Sequence, residues 1–126
     1  MAGSETATPA ASAVTGSGTA AAADEALLVL VSAPEPAAET LAEALVAEGL
    51  AACVNRLGGL RSVYRWQGEV ARAQESLLLI KCAARGYPAL EAAVRRLHPY
   101  ELPEVVAVPW ARALPAYRQW VLDETR

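Results

Sequence analysis

Hydrophobic positions change period several times along the chain, and each change predicts an element. Leu27 to Val31 is an unbroken aliphatic run, the pattern of a short strand buried on both faces. After Ala33-Pro34-Glu35-Pro36, apolar residues recur at Ala38, Leu41, Ala42 and Leu45 while Glu35, Glu39 and Glu43 take another face, which predicts an amphipathic helix opened by Pro36 and closed at Gly49. Leu50 to Asn55 reads as a second strand, broken at Arg56-Leu57-Gly58-Gly59 by a bulge or sharp bend and resumed from Leu60 to Trp66. The polar segment Gln67 to Gln74, which contains Gly68, is expected to reverse the chain into Ser76 to Cys82, another continuous aliphatic strand. Pro88 then opens a helix with Leu90, Ala93, Val94 and Leu97 on one face, which must stop at or before Pro99. Val105 to Trp110 reads as a fourth strand, and a short helix with Tyr117, Trp120 and Val121 on one side follows Pro115.

Strand, helix, strand, strand, helix, strand, helix is the split βαβ order with one helix added. It predicts an α+β, ferredoxin-like domain: a four-stranded antiparallel sheet with both main helices on one face and the first and third strands central. The fourth strand is then an edge, yet Val105-Val106-Ala107-Val108 is as apolar as a core strand. An uncovered edge of that kind is a template for aggregation, so association of identical subunits is expected to cover it.

Composition adds boundaries. Residues 1–24 are dominated by Ala, Gly, Ser and Thr, lack a large aliphatic run and predict a disordered tail, leaving 25–126 as one folded domain. No stretch approaches the ~20 apolar residues of a membrane-spanning helix, and the tail lacks the basic start and leucine-rich centre of a secretory signal. The chain carries 11 basic and 14 acidic residues, a net charge of −3, without the basic stripe of a nucleic-acid binder. Arg95 reads instead as the helical i,i+4 partner of Glu91. Two distant cysteines, Cys53 and Cys82, form neither a disulfide framework nor a zinc signature, and they suit a reducing, cytoplasmic setting.

Candidate chemistry concentrates in His98-Pro99-Tyr100-Glu101-Leu102-Pro103-Glu104, which holds the only histidine, two carboxylates and a phenol in a connection stiffened by two prolines. The bland reading is a helix end with its terminal histidine. The functional one makes His98 a metal ligand with Glu101 and Glu104 as oxygen donors. A Cys53 nucleophile with a His98 base satisfies the residue types of a hydrolase, but Cys53 lies in an apolar strand and no oxyanion hole is marked, so no enzyme is expected.

Three blocks, Ala51-Ala52-Cys53-Val54-Asn55, Ser62-Val63-Tyr64-Arg65-Trp66-Gln67-Gly68 and His98 to Glu104, stand in the order and setting that resembles the CutA divalent-cation tolerance family, over residues 26 to about 123. The resemblance implies a homotrimer, a role in the response to metal ions, and copper or another divalent cation as ligand. Copper-binding members are thought to use a first-strand cysteine and a histidine pair. Here those positions read Val31 and Leu97-His98, so only His98 of that set is present. The alternative implied by the family's likeness to PII signalling proteins is a small-ligand module with pockets between subunits, lined by Trp66, Tyr100 and Glu101 and free of catalysis.

Overall fold

The computed structural model describes residues 25–126; the expected tail, 1–24, lies outside the described residues. Strand β1 (Ala26–Ala33) is followed by helix α1 (Glu35–Ala47), strands β2 (Cys53–Trp66) and β3 (Glu69–Ala83), helix α2 (Tyr87–Leu97), strand β4 (Val105–Pro109) and helix α3 (Pro115–Asp123). The sheet is ordered β2-β3-β1-β4 and every pairing is antiparallel. This is the split βαβ fold with β1 and β3 central, as the element order predicts.

Alternation along the central strands sorts the side chains. Val29, Val31, Leu78, Ile80 and Cys82 face α1 and α2 and pack with Leu41, Leu45, Leu90 and Val94 into the core, all fully buried. The opposite face carries Leu28, Leu30, Leu77 and Leu79, which remain partly accessible. The expectation that β1 is buried on both faces therefore fails on one side in the single chain, because α1 and α2 both lie across the other face. Helix α3 crosses one end of that second face, touching β1 and β3 and bringing Tyr117 beside Cys53. The C-terminus is tied back to α1: the Arg126 N–H donates to Gly49 O at 2.9 Å, and its guanidinium donates to Glu48 O, placing a cation on the carbonyl end of the helix.

The long hairpin differs most from expectation. β2 begins at Cys53 rather than Leu50 and runs unbroken to Trp66, and the glycine pair is accommodated as a bulge between Leu57 and Leu60, with Gly59 at φ 77°. The reversal occupies only Gln67 and Gly68, both at positive φ (51° and 83°), the two-residue turn whose twist matches the flanking strands. Glu69 to Gln74 are therefore strand, paired with Arg61 to Trp66. They lack a hydrophobic period because this part of the hairpin has no helix over it.

Helix α2 ends where Pro99 requires: His98 is extended (φ −78°, ψ 137°), and its N–H donates to Val94 O at 2.8 Å. The expected Glu91–Arg95 pair is not formed. Glu91 instead accepts from the Tyr87 hydroxyl at 3.1 Å, and the two ion pairs among the described residues are Arg56–Glu35 and Arg96–Glu48.

Candidate functional site

The connection from α2 to β4 folds under the end of β1 and against the hairpin, and His98 holds it there. Its Nε2 lies 2.8 Å from Ser32 O, an acceptor, and its Nδ1 lies 3.1 Å from the Tyr100 backbone nitrogen, a donor. Those partners assign the neutral tautomer with the proton on Nε2. With the residue 7 % exposed and both nitrogens engaged, His98 is a strut between β1 and the loop. A metal ion at either nitrogen would have to displace a backbone partner.

Tyr100, packed on the His98 ring with centroids 4.8 Å apart, extends from this strut to the hairpin. Its hydroxyl donates to Glu75 Oε2 at 2.8 Å, and the Ser62 hydroxyl donates to Glu75 Oε1 at 2.6 Å. Glu75 is only 3 % exposed, and its partners here are neutral hydroxyls rather than a cation. Burial, then the hydrogen bond and negative charge of Glu75, push the Tyr100 phenol up to about 12. Ser32 Oγ donates to Glu104 Oε1 at 3.3 Å, which closes the polar layer on the β1 side.

Above this layer lies a groove of about 330 Å³ lined by Tyr64, Trp66, Pro99, Tyr100 and Glu101. Tyr64 and Trp66 are two apart on β2 and share its face, with Ala71 and Glu69 as their cross-strand partners. Pro99 fixes the backbone that presents Tyr100 and Glu101 to the same space.

The residues singled out in the sequence divide accordingly. Trp66, Tyr100 and Glu101 share the groove. His98, Glu101 and Glu104 are not gathered into a metal cage: His98 bonds backbone, Glu104 bonds Ser32 and Glu101 faces the groove. Among the described residues no group of three or more His, Cys, Asp and Glu side chains converges for a metal ion. Cys53 pairs with Lys81 and sits near Tyr117, whereas His98 meets Ser32, whose strand partner is Leu77, so a Cys53–His98 couple is not assembled. Cys82 is buried in the core, which pushes its thiol up to about 11.

Sequence reading missed Tyr64, Ser62 and Glu75. The first two were signalled by their even spacing with Trp66 on one strand face. Glu75 carried no signal, since its burial depends on a loop that arrives from 25 residues away.

The fold and the sequence are shared with known proteins. Residues 27–124 match the family model described as CutA1 divalent ion tolerance protein. The divalent-cation tolerance protein CutA of Thermus thermophilus is 50% identical over 99 residues, 78% of this chain and 96% of that protein. A solved structure of the divalent cation tolerance protein from Thermus thermophilus superposes with a TM-score of 0.78 at 48% identity, covering 80% of this chain and 99% of the other. The PII-like protein CutA from Nostoc sp. PCC 7120, solved in apo form, gives 0.76 at 35% identity, covering 79% and 97%. The chain belongs to the CutA1 divalent ion tolerance family.

Proposed function

We propose that this member of the CutA1 family acts in the response to divalent metal ions as a non-catalytic, cytoplasmic homotrimer that binds a small ligand in the groove between the hairpin and the His98–Glu104 loop. The observation that carries the ligand reading is the division of labour in that loop. His98 spends both ring nitrogens on backbone groups, while Tyr100 and Glu101 face open space beside Tyr64 and Trp66. A concave wall of aromatic side chains with a few polar groups is how small-molecule sites are built.

Self-association is supported by the second sheet face. Leu57, Val106 and Val108 are 55%, 48% and 43% exposed and adjoin the partly covered Leu28, Leu30, Leu77 and Leu79. A contiguous apolar surface of this kind favours a protein partner, and a closed ring of identical chains would cover it without leaving an apolar edge. The cytoplasmic reading rests on two free cysteines, one of them in the core. Copper binding at His98 would be weak, because one imidazole with Glu101 or Glu104 is a poor set for Cu(I) and a sparse one for Cu(II).

The test is a calorimetric titration of the purified protein with Cu(II) and Zn(II), alongside its mass in solution. A trimer mass that survives dilution and drops in Leu57→Glu, with weak metal binding unaltered by Trp66→Leu, is the expected result. Tight copper binding abolished in a folded His98→Ala variant would overturn the reading in favour of a metal site.

A further inference from the structure

We infer that the groove takes a small organic cation, an amine or quaternary ammonium with apolar substituents. This inference deepens the ligand reading proposed above and rests on it.

Three observations converge on that class. First, the walls are rings: Tyr64, Trp66 and Tyr100, with Pro99 completing the apolar lining. Aromatic faces carry negative quadrupole charge, and grouped rings attract ammonium groups where water is thinned out. Secondly, the formal charges on this side of the site share one sign. Glu101 lines the groove, Glu69 sits opposite Trp66, and Glu75 lies under Tyr100 with a neutral hydroxyl on each oxygen. Thirdly, the nearby arginines point elsewhere. Arg61, Arg65 and Arg72 alternate with Ser62, Tyr64, Trp66 and Ala71 along the paired strands and therefore project from the opposite face of the hairpin.

The same facts disfavour the competing ligand classes. A phosphate or carboxylate would meet Glu101 above a buried carboxylate, with no guanidinium among the groove's lining residues. A hard divalent ion requires six or more oxygen ligands, or an octahedral shell rich in water, and only Glu101 offers a carboxylate to the groove. A neutral apolar molecule would suit the rings but leave Glu101 without a counterpart. The space of about 330 Å³ matches the small end of ligand pockets.

The test uses the full chain and two probes of equal shape, choline and its uncharged isostere 3,3-dimethylbutan-1-ol, followed by the NMR shift of the Trp66 indole. Choline is expected to bind about tenfold more tightly than the alcohol. Trp66→Leu should abolish that binding, and Glu101→Gln, at an exposed position, should weaken choline several-fold while leaving the alcohol unchanged. Equal affinity for the two probes, or tighter binding of succinate, would overturn the cation inference and leave the groove a ligand site. Displacement of choline by Zn(II) at equimolar metal would overturn it in favour of a metal ion. If acrylamide cannot reach Trp66 and no probe shifts its indole, the groove is closed by another chain, and the ligand reading falls together with the inference.

Discussion

The two faces of the β2–β3 hairpin are made by alternate residues of the same two strands, yet they have opposite chemistry. One presents Ser62, Tyr64, Trp66, Glu69 and Glu75; the other presents Arg61, Val63, Arg65, Val70, Arg72 and Gln74. The first joins the loop at Tyr100 and forms the aromatic, acidic groove. The second is open, with Val63 64% and Val70 56% exposed, and a shallow groove of about 460 Å³ borders Arg61, Arg72 and Gln74. Closer to the helices the same alternation has another result, since Leu78 and Ile80 are fully buried under α1 and α2 while Leu77 and Leu79 lie on the half-covered face. A two-residue period thus sorts residues by burial where a helix layer exists and by charge where none does.

The largest expected effect tests the burial side of this contrast. Leu78→Ala should lower the unfolding free energy by about 3 kcal/mol, because a fully buried leucine loses its contacts and leaves a cavity. Val63→Ala, on the arginine face of the same hairpin, should cost about 0.5 kcal/mol or less. Urea denaturation of the two variants measures both. A cost at Val63 as large as that at Leu78 would mean that another surface covers the arginine face.

Alkaline pH probes the same dry layer through Cys82. Its thiol is pushed up to about 11 in the folded chain by burial, above the ordinary value near 9. The folded state therefore prefers the protonated thiol. Its contribution is complete below pH 9 and is lost as pH rises through 11, while the unfolded chain already releases the proton. The two-unit difference corresponds to about 2 to 3 kcal/mol. Thermal melts from about pH 8 to 11 should show the loss, and Cys82→Ala should reduce it, leaving the part above about pH 10 that comes from Tyr87, Tyr100 and Tyr117, whose phenols burial also pushes up.

A smaller effect is expected on the groove side. Tyr100→Phe removes one of the two hydroxyls that satisfy the buried Glu75, and stability should fall by about 1 kcal/mol. The phenol that burial and Glu75 push up to about 12 should then be missing from the ultraviolet titration. An unchanged melting temperature would show that water replaces the hydroxyl and that Glu75 is wetter than its 3 % exposure indicates.

Legibility in the sequence followed the source of order. β1, the second half of β3, α1 and α2 were readable because their apolar residues repeat at the period of the element that buries them, and the glycine pair at 58–59 announced the bulge. Glu69 to Gln74 were not, since a hairpin segment outside the helix layer is ordered by cross-strand hydrogen bonds and its own turn, neither of which leaves a hydrophobic pattern. At the site, Trp66, Tyr100 and Glu101 stood out as chemistry-bearing residues. The role of His98 did not, because its two backbone partners, Ser32 and Tyr100, are supplied by tertiary structure and by a proline-set loop.

The smallest expected effect lies at the tip that sets both faces. Gln67 occupies the left-handed region at φ 51°, where a side chain other than Asn, Asp or Gly is disfavoured, and Gly68 follows at φ 83°. Gln67→Asn would place the favoured Asn-Gly pair in the turn without altering its length. Stability should rise by about 0.5 kcal/mol, through relief at one residue rather than any new tertiary contact. Because strand register follows turn length, the same residues should stay on the same faces, and the Trp66 indole shift should be unchanged. Inserting one glycine after Gly68 provides the contrast. A slip of one position would turn Arg72 and Val70 towards the groove in place of Ala71 and Glu69, so choline binding should be lost even where the melting temperature falls only slightly. Retained binding in the insertion variant would show that the loop, and not the strand register, places the aromatic face.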